Sequence, residues 1–124
     1  MRTLDIILGW LLIGFGAAHT ALTRRVNPEI GINAIWFASG GLLIITIGAL
    51  NLLRVAYSSV AKGVYVVSVM ANIVLLLLML FIATRLPIRS NPQVLLGLIL
   101  AALLTAFSVL RRAGQVQTRQ VQNP

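Results

Sequence analysis

Four apolar runs separated by short polar breaks dominate the chain, at positions 4–23, 31–53, 63–84 and 93–110. A run of about 18 or more apolar residues is long enough to cross the hydrocarbon core of a bilayer as a helix. No water is present there to bond the backbone, and a helix satisfies its peptide groups within one segment. The runs therefore predict four transmembrane helices, and this placement governs how every other residue is read.

The composition leaves little room for anything else. The 124 residues are 59% hydrophobic and 10% charged, too few polar groups to cover a soluble domain of this size. Four spans leave short loops and no separate catalytic domain. Positions 1–112 are expected to form one four-helix bundle, and 113–124 a polar, glutamine-rich tail. With no cysteine, disulfides, thiolate metal sites and thiol redox chemistry are excluded. The first segment has Arg2, an apolar stretch and small residues at Gly16, Ala17 and Ala18, as a secretory signal would. We read it as the first helix.

The net charge of +8 sits at the ends of the spans, on Arg2, Arg24, Arg25, Arg54, Lys62, Arg85, Arg89, Arg111 and Arg112. Basic residues so placed anchor a membrane protein to lipid phosphates and set its orientation. They form no dense or aromatic-rich run of the kind that binds nucleic acid.

The breaks carry turn chemistry. Asn27-Pro28 follows Arg24-Arg25, Tyr57-Ser58-Ser59 links the second and third spans, and Pro87 follows the third. The residue before proline avoids helical geometry. Ser90-Asn91-Pro92 opens the fourth span, with Pro92 at a favourable first helical position. Gly114 is a candidate stop, while Arg111–Val121 is expected to extend the fourth helix beyond the bilayer or dock on another chain.

Short links make consecutive helices antiparallel neighbours. The expected fold is all-α, an integral membrane four-helix up-down-up-down antiparallel bundle with both termini on one side. That side carries Arg2, Arg54, Lys62, Arg111, Arg112 and Arg119; the other carries Arg24, Arg25, Arg85 and Arg89. The excess favours cytoplasmic termini, in a bacterial cytoplasmic membrane.

Each span has a stripe of small or polar residues: Asp5, Gly9, Gly16, His19 and Thr23, then Asn33, Phe37, Gly40, Gly48 and Asn51. The third span contributes Tyr65, Ser68 and Asn72, and the fourth Gly97, Ala101, Thr105 and Ser108. Lipid tails are as apolar as leucine, so helices associate in a bilayer through small residues and interhelical hydrogen bonds. Gly9, Gly16, Gly40, Gly48, Asn72 and Gly97 are the expected packing positions. Asp5 is expected to form an ion pair at the membrane surface with Arg54 or Arg111.

His19 is the one histidine and the most deeply placed titratable group. An ionisable residue within a membrane span is a functional candidate; the structural alternative is a neutral imidazole that orients the bundle. With Thr20, Thr23, Glu29, Asn33 and Trp36 it outlines a mouth for a ligand. Glu29 has the alternative role of pairing with Arg24 or Arg25. One histidine makes no zinc site and ligates a haem on both sides only where two chains share it. No acidic pair for general acid–base catalysis and no acidic residue near the bilayer centre is present.

The stretches Gly16-Ala17-Ala18-His19-Thr20, Trp36-Phe37-Ala38-Ser39-Gly40-Gly41-Leu42 and Gly48-Ala49-Leu50-Asn51 resemble a pattern in small, uncharacterised bacterial four-helix membrane proteins. The layout distantly resembles DoxX-like proteins, whose fold is a four-helix membrane bundle and some of which are linked to quinone or thiol redox systems. The resemblance brings no catalytic signature.

The leading expectation is a non-enzymatic membrane protein that binds a lipid-like or other hydrophobic ligand, or serves as an accessory subunit of a membrane complex. The alternatives are a quinone- or redox-associated subunit, with His19 hydrogen-bonded to a quinone carbonyl, and a dual-topology transporter or channel dimer. No cofactor is required by the sequence, although quinone and haem stay open. The expected partners are membrane lipids, other membrane subunits or further copies of the chain.

Overall fold

The computed structural model describes the backbone of residues 2–57 and 60–122, and their side chains except at position 88 and beyond 110. The expected link at Ser58-Ser59 lies outside the described residues, as do the side chains of Arg111, Arg112 and Arg119. The described chain is helical throughout: α1 (Arg2–Ala21), a single turn α2 (Thr23–Val26), α3 (Ile32–Tyr57), α4 (Lys62–Arg85), a 3-10 turn (Ile88–Ser90) and α5 (Pro92–Gln122). Four of these segments are long and apolar enough to cross a membrane.

Proline sets the boundaries. α1 and α2 are nearly continuous, so the first helical segment runs past Thr23 and through both arginines to Val26. It stops at Asn27, held out of helical geometry (φ −127°, ψ 87°) by the ring of Pro28. Leu86 is extended for the same reason before Pro87. Pro92 is the first residue of α5, where its missing N–H costs no helical hydrogen bond. α5 continues through Gly114 to Gln122.

α1 packs along α3, α3 on α4, α4 on α5, and α5 back on α1. Along the α1–α3 seam the contacts fall in register as they rise in number. Asp5 meets Arg54, Gly9 meets Leu52, Gly16 meets Gly41 and Ile45, and Thr20 reaches Ala38. Glycine permits this approach. A Cβ built on Gly16 would lie 2.6 Å from the Gly41 carbonyl oxygen, and one on Gly48 2.9 Å from that of Gly9. Backbone cannot swing aside as a side chain can, so any larger residue forces the helices apart.

The fourth close position on this seam is Gly41 rather than Gly40. A Cβ on Gly41 would collide with Thr20 Oγ1 and lie 2.7 Å from the Gly16 carbonyl. Gly40 is one residue, or about 100°, round the helix. It has His19 Nε2 at 3.7 Å within reach, an ordinary contact. On the other side of the molecule Gly97 accommodates Met79 and Phe15, at 3.0 and 3.3 Å from its would-be Cβ. The interior above and beside these seams is apolar, built on Leu8, Leu12, Ile44, Leu75, Met79 and Leu104.

Candidate functional site

Three features of the fold are candidates: the His19 end, a buried polar cluster at the Asp5 end, and a groove on the outer side of α1.

His19 lies in the last turn of α1, half-buried against α3. Its ring stacks on Phe37 with centroids 3.9 Å apart and planes 15° from parallel. Phe15, one turn earlier, sits at 6.5 Å, tilted by 47°. Thr20 Oγ1 donates to the Gly16 carbonyl at 3.0 Å and lies 3.5 Å from that of Ala38. His19 and Thr20 are therefore brought together on the α1–α3 seam. The remaining members of the expected mouth spread outward. Glu29 and Asn33 are exposed, and Trp36 is 71% exposed. Thr23 is half-buried, and its hydroxyl has no partner among the described residues. Glu29 is within ion-pair distance of neither Arg24 nor Arg25 among the described residues. It stands after Pro28, in the loop that turns away from α2.

For the second feature, the sequence expects Asp5 to pair with Arg54 or Arg111 at the membrane surface; the pair with Arg54 forms, and it is buried instead of lying at a surface. Arg54 is fully buried, the largest side chain to be so, and Asp5 is 1% exposed. Arg54 Nη2 lies 3.2 Å from Asp5 Oδ1, an ion pair between α3 and α1. Helical side chains lean toward the N-terminus of their own helix. In α3 that direction carries the guanidinium into the molecule and onto Asn51, three residues earlier, at 3.4 Å from its Oδ1. Asn51 and Asn72 then exchange two amide hydrogen bonds, at 2.7 and 2.9 Å, tying α3 to α4. Asn51 also donates to the Ile47 carbonyl at 2.9 Å. Ser68 on α4 donates to the Leu50 carbonyl at 2.9 Å. Further round, the Tyr65 hydroxyl donates to the Ser108 carbonyl of α5 at 3.1 Å.

A charged pair, two amides and a hydroxyl are thus stacked inside one end of the molecule. The sequence carried a signal for the arginine. Asn51 ends a stripe of small and polar residues, and Arg54 is the next step of three on that stripe. Its position at a helix end suggested a pair at the surface, with Asp5 or with lipid phosphate.

The third feature is an open groove of about 590 Å³ between α1 and α5. Ile6, Trp10, Gly14, Phe15 and Ala18 of α1 form its floor and rim, with Leu96 and Leu100 of α5 opposite. Its lining is almost wholly apolar. The hollow exists because Gly14 and Ala18 present almost no side chain where the flanking positions carry isoleucine, tryptophan and phenylalanine. A Cβ on Gly14 would meet nothing within 4 Å, so this glycine is open where those on the α3 seam are closed. Phe15 lines the groove, while His19 faces Phe37 on α3.

The arrangement offers apolar volume and one imidazole. Among the described residues no group of three or more histidine, cysteine or acidic side chains could hold a metal. Comparison with protein-family models, with curated proteins and with solved structures gives no match to this chain.

Proposed function

We propose that this chain is an integral membrane protein, an up-down-up-down antiparallel four-helix bundle, which binds the acyl chain of a lipid-like ligand in the groove between α1 and α5. Four apolar helices and the falling contact register along α1 and α3 support the bundle and its insertion. The distribution of basic residues supports both termini on the cytoplasmic face of a bacterial membrane. A distant DoxX-like kinship fits the same layout and adds no activity to it.

The groove is the observation that carries the binding role. Its volume of about 590 Å³ falls within the range of about 300–1,000 Å³ usual for small-molecule sites. From Ile6 to Ala18 it follows α1 for about 18 Å at 1.5 Å per residue, more than half of a hydrocarbon core about 30 Å thick. A flexible apolar chain suits this length and lining, whereas a polar ligand would find no partner for its hydrogen bonds. Because lipid is also the solvent, selectivity rests on shape: the Gly14 hollow and the Trp10 and Phe15 rings beside it.

Photo-crosslinking tests this directly. A phospholipid with a diazirine on its acyl chain, reconstituted with the protein, is expected to label α1 between Ile6 and Ala18 above the other helices. Gly14→Leu fills the hollow without touching the α3 seam and should reduce that labelling several-fold. His19→Ala, in the adjoining mouth, should weaken it while leaving the bundle folded. Equal labelling around all four helices, unchanged in Gly14→Leu, would show that the groove is ordinary lipid-facing surface. A crosslink to a second protein or to another copy of this chain at the same positions would replace the lipid with a subunit.

A further inference from the structure

Arg54 poses a physical problem that the protein atoms around it leave unsolved. Its side chain has no exposure, and among the described residues its Nε and Nη1 have no hydrogen-bond partner. Both of its hydrogen bonds among the described residues, to Asp5 Oδ1 and Asn51 Oδ1, are donated by Nη2. A guanidinium carries five N–H donors and does not lose its charge inside a protein. Burying such donors unpaired is strongly unfavourable, and deprotonation offers no escape. The amide oxygens of the cluster and the Leu50 carbonyl accept their bonds from other donors or from Nη2. Asn51 Oδ1 already receives Asn72 Nδ2 as well as Arg54, and Asn72 Oδ1 receives Asn51 Nδ2. The Leu50 carbonyl receives Ser68.

We propose that Arg54 Nε and Nη1 hold internal water, making the Asp5–Arg54–Asn51–Asn72 cluster a small hydrated site inside the bundle. Water meets the chemistry. It accepts from the guanidinium and donates onward to carboxylate and carbonyl oxygens, which can each take more than one bond. Buried polar groups left without protein partners are the usual hosts of internal water, at about one molecule per 27 residues. An anion fits less well, because it would share the guanidinium with the Asp5 carboxylate and repel it at low dielectric. A lipid headgroup would have to reach a side chain that is wholly covered.

The position of the cluster gives the water a limited range. Arg54 lies three residues before the end of α3 at Tyr57, and its side chain leans further inward. Asn72 is ten residues into α4 from Lys62, about 15 Å along the helix axis. Beyond it Leu12, Ile44, Leu75 and Met79 form a buried apolar layer. The hydrated site therefore lies at the Asp5 end, with that apolar layer between it and His19, and it solvates a buried charge.

Nuclear magnetic resonance of the perdeuterated, 15N-arginine-labelled protein in nanodiscs of deuterated lipid tests the site. Arg54→Lys, which keeps the charge, assigns the Arg54 Hε resonance by its disappearance. The expected result is a rotating-frame cross-peak between Arg54 Hε and water, with the sign of a dipolar contact and with slower solvent exchange than Arg24 Hε. An Arg54 Hε with no water cross-peak overturns the proposal. A dipolar contact from Arg54 Nε to lipid 31P overturns it too, in favour of a headgroup.

Discussion

Arg54 separates two ideas that are easily merged, namely what a buried ion pair contributes and what losing half of it costs. Removing Arg54 alone takes its guanidinium contact from the buried Asp5 carboxylate, and breaking a buried ion pair from one side costs about 3–5 kcal/mol. Arg54→Met is therefore expected to be severely destabilised in SDS-unfolding titrations, and Asp5→Leu likewise. The double variant Asp5→Leu/Arg54→Met removes both charges and should recover most of that loss or exceed the parent. A double variant as unstable as the singles would mean that the pair contributes more than its own compensation. The Asn51–Asn72 pair is expected to behave more modestly. Interhelical hydrogen bonds in membranes average about 0.6 kcal/mol, with about 1.7 at the upper end. Two reciprocal bonds should give a coupling of about 1–2 kcal/mol in a double-mutant cycle with leucine. Asn72 was legible in the sequence, since an amide in mid-span must find a partner. The pairing of Arg54 with Asp5 was legible too, as one of two expected partners; its burial was not, because a basic residue at a helix end satisfies the same sequence pattern whether it stays at the surface or turns inward to a carboxylate. That carboxylate lies 49 residues away.

At the scale of the element, α1 has two unlike sides, and glycine means opposite things on each. On the α3 side Gly16, Gly41 and Gly48 admit a neighbouring backbone; on the groove side Gly14 admits nothing protein. Alanine distinguishes them. Gly41→Ala, whose Cβ would meet the Gly16 carbonyl and Thr20, should separate α1 from α3 and lower the unfolding midpoint. Gly14→Ala should be neutral or stabilising, because glycine within a helix is less favourable than alanine by about 0.5–1 kcal/mol. The same midpoint measurement checks both, and equal effects at the two positions would mean that the seam is looser than described. Spacing revealed that glycine stripes exist. It could not choose between Gly40 and Gly41, which differ by about 100° in a helix whose orientation depends on its neighbours. Nor could it show the groove, a hollow formed by the difference in size between Gly14 and Ala18 and the side chains flanking them.

For the molecule as a whole, the proposed insertion sets the depth of two fluorophores. Trp10 is 62% exposed and Trp36 71% exposed, so both should face acyl chains. Trp10 stands eight residues into α1 and Trp36 four into α3, or about 12 and 6 Å from their helix starts. In single-tryptophan variants, lipid brominated near the acyl terminus should quench Trp10 more strongly, and lipid brominated near the headgroup should quench Trp36. Equal quenching would argue against a span perpendicular to the membrane. The helical architecture was readable from the four runs and their prolines, because hydropathy and chain stiffness act locally. Short links also made consecutive helices neighbours, whereas the burial of the Asp5–Arg54 pair depends on the whole assembly. The Asp5–Arg54 pair also has a consequence for how the chain enters a membrane during synthesis. Asp5 emerges from the ribosome about fifty residues before Arg54, a cation with which it pairs inside the bundle. A lone aspartate or arginine in a span hinders insertion, more weakly near the helix end than at its centre. The first helix is thus left incomplete until α3 follows. The two should partition from the translocation machinery as one hairpin, with the later helix securing the earlier.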